Sequence, residues 1–185
     1  MSILVYAESS EGKFKKSAFE ATSYGSKLAE QLGLSLTVLS INAREPESLS
    51  QYGAHKILQV SNDSLSVFNA KIYANIIEQA VKAENATVIV VDSTSNGLYI
   101  APMLAAILNA GYASNVIALP SSTAPFTVKR KAFSNKAFNH TQIHSEIKVV
   151  GLAKNSFGLI EKESSGTIVS FDPSIVESET KSESI

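Results

Sequence analysis

The chain has 185 residues, and its hydrophobic content of 44% is enough to fill the core of one domain. A formal net charge of −1 argues against a dedicated nucleic-acid binder. The sequence contains no cysteine, which excludes disulfides, thiolate metal sites and cysteine catalysis, and which is typical of a reducing compartment.

The chain begins with a predicted strand, helix and second strand. Residues 3–7 are apolar without polar alternation, as in a strand that is buried on both faces of a parallel sheet. A helix follows, for which residues 17–20 predict a capping box at the start and Gly33 predicts the C-terminal cap. Residues 36–41 form the next strand, so the pattern predicts a right-handed βαβ unit.

The next segment predicts a short helix, a short strand and a longer helix. Residues 46–52 favour a short helix that ends before Gly53, and residues 57–60 predict a short strand at an edge of the sheet. From Asn69 the apolar residues return at helical spacing, which predicts an amphipathic helix. The side chains on its buried side would be Ala70, Tyr73, Ala74, Ile77, Ala80 and Val81.

Residues 86–108 are the stretch around which the predicted fold is organised. The β-branched run at 88–92 predicts a strand buried on both faces, and residues 93–97 predict a turn. A helix follows, in which Pro102 is tolerated because it lies in the first turn. Small alanines lie opposite its apolar stripe, so we expect this helix to be covered on all sides. The stripe consists of Ile100, Met103, Leu104, Ile107 and Leu108.

The last third of the chain changes from alternating strands and helices to strands alone. Residues 115–119 predict one more buried strand, which completes a parallel sheet covered by helices on both faces. Beyond Pro120, three strand candidates without helices between them predict an antiparallel meander. These candidates are residues 126–133, 136–144 and 146–153, followed by one possible strand at 167–171 and, at 177–183, a polar tail that does not fold alone.

Polar residues at the predicted strand ends are candidates for a ligand cleft, because doubly wound α/β proteins bind ligands at the carboxyl ends of their strands. Glu8 and Asp92 each end a strand, where a carboxylate pair is suited to acid–base chemistry but more often caps the helix that follows. The candidate cofactor-binding residues are Glu8, Ser93, Ser95, Asn96, Gly97 and Arg130.

Other chemical motifs are absent or better explained structurally. Neither of the common glycine-rich phosphate loops is present, and the serines near the strand ends, Ser9, Ser10, Ser93 and Ser95, have no histidine close to them in the sequence. His140 and His144 would lie about 13 Å apart on a strand, too far for a shared metal. We therefore predict no catalytic and no metal-binding residue. A basic cluster at residues 129–131 and Lys136 is suited to an anionic cofactor or an acidic partner, or it keeps a sheet edge soluble.

A series of short segments resembles the alpha subunit of electron transfer flavoproteins. No single segment is specific, but all occur in the family's order between about residues 3 and 160. Three charged residues of the family are replaced here, by Leu98, Tyr99 and Met103, and Ala153 replaces a fourth. The similar segments are Leu4-Val5-Tyr6-Ala7-Glu8, residues 12–17 with Glu20 and Ala21, residues 53–58, residues 97–106, residues 114–116, Phe126 with Arg130, and Asn135.

The resemblance implies a three-layer Rossmann-like fold of the adenine nucleotide alpha hydrolase type. In the family, a heterodimer of alpha and beta subunits holds one FAD, and AMP lies in the beta subunit. The heterodimer carries electrons from acyl-CoA or other dehydrogenases to an acceptor such as a quinone reductase. Most of the FAD site belongs to the C-terminal half of the alpha subunit. Residues 1–160 would then be the N-terminal domain, and residues 161–185 a linker toward an FAD-binding domain that is absent here.

Two classes of function follow from these observations. The first is a non-catalytic scaffold that faces the beta subunit and the flavin, without a tightly bound cofactor of its own. The alternative is a stand-alone protein that binds an adenine nucleotide at the polar loops after Ala7 and Asp92. No apolar run approaches the ~20 residues that span a bilayer, and no signal peptide precedes the first strand, so we expect a cytoplasmic protein without membrane insertion.

Overall fold

The computed structural model describes residues 1–175, and the tail predicted at residues 177–183 lies outside this range. The strands are β1 (Ser2–Ala7), β2 (Ser9–Ser10), β3 (Lys13–Phe14), β4 (Ser35–Ile41), β5 (Lys56–Val60), β6 (Ala86–Asp92), β7 (Gly111–Val116), β8 (Ser122–Thr123), β9 (Phe126–Ala132), β10 (Ala137–Ile143), β11 (Lys148–Leu152) and β12 (Thr167–Ser170). The α-helices are α1 (Lys16–Leu32), α2 (Ala70–Ala83) and α3 (Gly97–Ile107), and short 3-10 helices cover Pro46–Gln51 and Asp63–Leu65.

One large sheet runs through the domain in the order β10-β9-β7-β11-β6-β1-β4-β5-β12. Its centre is parallel: Ile3 of β1 lies opposite Leu36 on one side and opposite Val88 on the other. The predicted parallel strands connected by helices are therefore confirmed. The short strand pair β2–β3 forms a separate ribbon beside the carboxyl end of β1.

Helices cover both faces of this sheet, which makes three layers. Alternate residues of β1 lie on opposite faces: Val5 packs in a core with Leu28 of α1, whereas Leu4 belongs to a second core with Ile77 of α2 and Leu104 of α3. A strand with a core on each side needs apolar residues at every position, which explains the missing polar alternation. Among residues 1–175, no helix is long and apolar enough to cross a bilayer.

The C-terminal strands follow the predicted meander only in part. β9 and β10 form the expected antiparallel hairpin, with Phe138 opposite Lys131. The third strand, β11, instead lies between β6 and β7 and is parallel to both, so the meander prediction is wrong for this strand. Val149 and Val150 are fully buried in different cores. Only an interior position of the sheet buries both faces of the strand in this way.

Two other strand predictions need correction. The strand at residues 57–60 does not lie at an edge, because β12 pairs with it in parallel, with Ile168 opposite Ile57. This pairing confirms the strand suspected at residues 167–171 and places it at one edge of the sheet. The strand predicted at residues 115–119 is found at Gly111–Val116, where Asn115 adopts a positive φ of 54° and interrupts regular pairing.

The outer side of α3 differs from the predicted apolar stripe. Ile100 and Leu104 are buried as expected, but Met103 and Ile107 are each 42% exposed. The buried side is completed by small residues, which let the helix approach β6, β11 and α2 closely. The prediction that α3 is covered on all sides is therefore wrong within residues 1–175. The exposed apolar side chains on this helix are Leu98, Tyr99, Met103 and Ile107.

Candidate functional site

The candidate cleft lies where β1 and β6 end beside each other at the carboxyl edge of the sheet. The chain leaves β1 at Glu8 and leaves β6 through residues 93–96, which lead directly into α3. Backbone hydrogen bonding fixes the second loop, because the Ser93 N–H donates to the Leu152 carbonyl at 2.8 Å and the Leu98 N–H donates to the Thr94 carbonyl at 3.0 Å. The parallel topology thus brings two loops together that are distant in sequence.

Glu8 is the centre of the polar contacts at this edge. Only 1% of the residue is exposed, and its carboxylate accepts three side-chain hydrogen bonds. Lys15 Nζ lies 2.7 Å and Asn96 Nδ2 lies 2.9 Å from Oε1, while the Thr94 hydroxyl donates to Oε2. A buried carboxylate is tolerated when its charge is paired and its oxygens are hydrogen-bonded, and both conditions are met here.

Thr94 connects Glu8 to the first turn of α3. Its hydroxyl accepts a hydrogen bond from the Gly97 N–H at 3.0 Å. Glycine is required at position 97, because a Cβ there would lie 1.9 Å from the Asp92 carbonyl oxygen. The tight turn therefore depends on both residues. Thr94 was not among the predicted site residues, although its position between two serines in the loop was the available signal.

Asp92 is the second buried carboxylate of this edge, with 2% of the residue exposed. Its Oδ1 lies 3.4 Å from the Thr94 hydroxyl, and within residues 1–175 its buried Oδ2 has no hydrogen-bond partner. Burial raises the pKa of Asp92 to about 6; the nearby Ser17 hydroxyl opposes this shift, and the charge of Glu8 adds to it. The structure thus favours a protonated Asp92 in mildly acidic solution.

A third carboxylate, Glu20, holds the loop after β11. Its oxygens accept four backbone N–H bonds from residues 155–158, at 2.8 to 3.0 Å. The predicted capping box is therefore wrong: α1 begins at Lys16, its N-cap is Lys15 without a side-chain cap bond, and Glu20 points to a distant loop. Gly33 does end the helix in the predicted left-handed conformation, with φ of 65°.

Two cavities flank Glu8. The larger, of about 550 Å³, lies toward β4 and β5 and is lined by polar and aromatic side chains that include Arg44, Phe68 and Tyr73. The smaller, of about 280 Å³, lies toward α1 and is bordered by Lys15, Lys16 and Lys154 together with Ser95 and Asn96. The larger volume is within the usual range for small-molecule sites.

A match to a family model identifies the family of this chain. The family model described as "Electron transfer flavoprotein domain" matches residues 3–176, nearly the whole chain. The chain belongs to the electron transfer flavoprotein domain family. This match confirms the three-layer fold and the resemblance that was inferred from the short segments.

Members of the electron transfer flavoprotein family are similar to this chain at moderate sequence identity. An electron transfer flavoprotein subunit alpha of Bacillus subtilis is 24% identical over 181 residues, which cover 96% of this chain and 56% of the relative. A subunit alpha of Clostridium acetobutylicum is 28% identical over 120 residues, covering 63% of this chain and 36% of the relative.

A third relative is named acryloyl-CoA reductase electron transfer subunit beta, from Anaerotignum propionicum, with 31% identity over 112 residues. The match covers 59% of this chain and 30% of that protein. The chain therefore spans about half the length, or less, of the curated relatives it matches. These matches support the conclusion that this chain corresponds to the N-terminal domain of an electron transfer flavoprotein alpha subunit.

The flavoprotein family name raises the question of whether this edge fits a dinucleotide. A pyrophosphate at the carboxyl edge needs free N–H donors and uncompensated positive charge. Here the N–H of Gly97 donates to Thr94, and Lys15 is paired with Glu8. Two buried carboxylates, Glu8 and Asp92, would in addition repel the phosphates. The immediate surroundings of Glu8 and Asp92 therefore do not fit an FAD pyrophosphate, although Lys16 and Lys154, which have no ion pair among the described residues, border the smaller cavity beside them.

The structure brings together five of the six predicted cofactor-binding residues. Glu8, Asn96 and Gly97 are joined through hydrogen bonds, Ser93 follows Asp92, and the exposed Ser95 borders the smaller cavity. Arg130 lies elsewhere, on β9, where its guanidinium donates to the Ser114 carbonyl and hydroxyl at 2.9 Å each. It was a candidate because it belongs both to the basic cluster at residues 129–131 and to one of the segments that resemble the family. A ligand role for all six residues stays a prediction.

Proposed function

We propose that this chain is a scaffold and partner-binding domain of an electron transfer flavoprotein. The complete heterodimer would carry electrons from acyl-CoA or other dehydrogenases to an acceptor such as a quinone reductase. In this proposal the chain pairs with a beta subunit that holds AMP, and FAD is held mainly by protein outside this chain. The chain itself performs no catalysis.

The buried carboxylates at the carboxyl edge are the observation that supports this proposal most directly. A parallel α/β domain that binds a nucleotide offers free N–H groups and cations at this edge. This chain places Glu8 and Asp92 there and uses Lys15, Thr94 and Asn96 to hold Glu8. This use of polar side chains to stabilise the fold supports a scaffold role for the edge more than a dinucleotide-binding role.

The names of the relatives support the electron-transfer part of the proposal. Two are electron transfer flavoprotein alpha subunits, and one is an electron transfer subunit of an acryloyl-CoA reductase. Because this chain spans about half of their length or less, the rest of each relative provides room for a separate FAD-binding unit. We accordingly propose residues 1–160 as the scaffold and residues 161–185 as the connection to such a unit.

The described part of that connection lies against the domain. β12 extends the sheet beyond β5, and Phe171 and Ile175 pack against the core that contains α2 and α3. The Ser174 N–H also donates to the Gln79 side chain at 2.9 Å. At residue 175 the described chain therefore lies on the α2 side of the sheet.

Co-purification tests the scaffold function. The full chain is expressed alone and together with the electron transfer flavoprotein beta subunit of the same genome. We expect the chain alone to be colourless, and the pair to co-elute at a 1:1 ratio in size-exclusion chromatography. Stoichiometric flavin absorbance near 450 nm in the chain alone, or separate elution of the two proteins, contradicts the proposal.

Calorimetric titration with AMP and ATP tests the alternative, a stand-alone adenine-nucleotide protein. The 550 Å³ cavity beside Glu8 is the observation that favours it. We expect no binding heat at high micromolar nucleotide, because Glu8 disfavours phosphate at that edge. Saturable heat that disappears in an Arg44→Ala variant but persists in an exposed Lys71→Ala control would favour the alternative.

A further inference from the structure

The hairpin of β9 and β10 ends the sheet on the side away from β12. Among residues 1–175, β10 pairs with β9 only, so alternate N–H and C=O groups along its outer side have no strand partner. The strand is seven residues long, and most of its side chains are exposed. An edge of this length offers main-chain hydrogen bonds to another extended chain.

The usual protection of such an edge is missing from β10 itself. Natural edge strands carry lysine, other charges, proline or a bulge, or they are very short. β10 contains no Asp, Glu, Lys, Arg or Pro, and it pairs with β9 in an unbroken register from Ala137 to Ile143. The edge therefore remains open to strand addition.

The charges lie one strand inward, on β9. Lys129 lies opposite His140 and Lys131 lies opposite Phe138, so these four side chains share one face of the ribbon. Lys129 Nζ lies 4.6 Å from the centre of the Phe138 ring. Among the described residues, neither lysine has an acidic partner within ion-pair distance.

The surrounding sequence also lacks negative charge. No Asp or Glu occurs from residue 93 to residue 145, although this segment contains Lys129, Arg130, Lys131 and Lys136. The chain as a whole is close to neutral, with a net charge of −1. Its positive charge is thus locally concentrated beside the open edge, and within residues 1–175 no carboxylate forms an ion pair with it.

We infer that the outer edge of β10 binds an extended acidic segment of a partner protein. A strand added at β10 lies about 4.8 Å beyond it and about 10 Å from β9. On their flexible stems, the ammonium groups of Lys129 and Lys131 would reach alternate side chains of that strand, which would be carboxylates on the face shared with Phe138. This inference rests on the hairpin alone and does not depend on the proposed electron-transfer function.

The pattern of the edge favours a peptide over a nucleic acid. Alternating backbone donors and acceptors match another peptide backbone, whereas a phosphate backbone offers acceptors only. The rest of the molecule does not add the broad basic surface of a nucleic-acid binder, since acidic and basic residues number 17 and 16.

Peptide binding to the full chain tests the inference. The probe is a labelled seven-residue peptide with glutamate at alternate positions and valine or threonine between them, and its control carries lysine in place of glutamate. We expect saturable binding of the acidic peptide that weakens more than threefold between 50 and 300 mM salt, and at least tenfold weaker binding of the control. Equal binding of the two peptides, or no binding of the acidic one, overturns the inference.

Hydrogen exchange locates the binding. In the full chain with saturating acidic peptide, amide exchange should slow within residues 137–143 and stay unchanged within Lys56–Val60 at the opposite side of the sheet. Binding without slower exchange in β10 overturns strand addition. Tighter binding of a single-stranded oligonucleotide than of the acidic peptide overturns the choice of partner.

Charge reversal tests the two lysines. The double variant K129E/K131E should weaken acidic-peptide binding at least tenfold, and K129Q/K131Q should weaken it at least threefold while avoiding new negative charge. The matched control K13E/K71E makes the same change of net charge at two exposed lysines away from the hairpin. Circular dichroism confirms folding of each variant. An equal loss in the control assigns binding to net charge and overturns the inference.

Discussion

Glu8 and Asp92 end two neighbouring parallel strands, and the Thr94 hydroxyl lies within hydrogen-bonding distance of both carboxylates. Glu8 has a cationic partner in Lys15, whereas Asp92 has none among the residues that are described. The two carboxylates therefore differ in how their charge is compensated within the described residues. Glu8 is held by three donors, while burial raises the pKa of Asp92 to about 6.

The first prediction concerns the pH dependence caused by Asp92. Its pKa is about 6 in the folded chain against an ordinary value of 3.8, so the folded state binds more protons than the unfolded state between these values. The contribution of Asp92 to the free energy of unfolding therefore falls as pH rises through this window, by about 3 kcal/mol in total. Above pH 6 the cost of the buried charge is fully present.

The Asp92→Asn variant removes this titration. Urea unfolding between pH 4 and pH 7.5 gives the free energy of unfolding of the variant and of the unaltered chain. The difference between the two values isolates Asp92, because groups that titrate alike in both proteins cancel. We expect the difference to move in favour of the variant by about 2–3 kcal/mol as pH rises. A difference that does not vary with pH contradicts the assigned pKa.

The second prediction concerns Thr94, which joins Glu8 to the start of α3. Replacement of Thr94 by valine keeps the shape of the side chain but leaves the Gly97 N–H and one Glu8 oxygen with one partner fewer. We expect a loss of about 2 kcal/mol in the free energy of unfolding, since unsatisfied buried polar groups cost about 1–3 kcal/mol.

The control for this substitution is Thr94→Ser, which keeps the hydroxyl. It should lose less than half as much stability as the valine variant. Equal destabilisation of both variants would contradict the prediction that the hydroxyl, and not the methyl group, provides most of the stabilisation by Thr94.

The third prediction concerns Glu20 and the loop at residues 155–158. Burial by itself would raise the pKa of Glu20, but the four backbone N–H donors outweigh it and lower the pKa below 4.5. Glu20 thus contributes stability above pH 4.5, and this contribution is lost as pH falls through the lower folded value. Glu20→Gln should reduce stability at pH 7 by about 1–3 kcal/mol.

Amide exchange of the loop distinguishes this effect from general destabilisation. Residues 155–158 should exchange faster in the Glu20→Gln variant than expected from its global stability. The exposed Glu161→Gln serves as the control and should change neither measurement. Unchanged loop exchange in Glu20→Gln would show that the loop is held by other contacts.

The fourth prediction concerns the outer side of α3. Leu98, Tyr99 and Met103 stand at positions where the family pattern has charged residues, and all three are more than two-fifths exposed. Leu98→Arg, Tyr99→Asp and Met103→Arg should each change thermal stability by less than about 0.5 kcal/mol. The buried Leu104→Ala on the same helix should cost about 2–5 kcal/mol.

A large loss in the three exposed variants would mean that this side of α3 is covered. Leu104→Ala is the positive control, because its loss of stability shows that the measurement detects damage to this helix. Melting curves of all four variants under one condition are sufficient.

The sequence by itself determined the elements that depend on local pattern. Runs such as residues 88–92 are apolar at every position and so identify interior strands, while the 3.6-residue spacing after Asn69 identifies α2 and the glycine at 33 ends α1. The ordered short segments were also sufficient for the family. These signals are local because they reflect which residue types a strand, a helix or a turn accepts.

The tertiary structure alone decided how these elements are arranged. The insertion of β11 between β6 and β7, the pairing of β12 with β5, and the hydrogen bonds that hold Arg130 against Ser114 all depend on contacts between residues apart in sequence. The same holds for the exposed side of α3 and for the loop held by Glu20. A local pattern shows that a surface is buried but not which surface covers it, because strand order and helix orientation minimise the free energy of the whole packed chain.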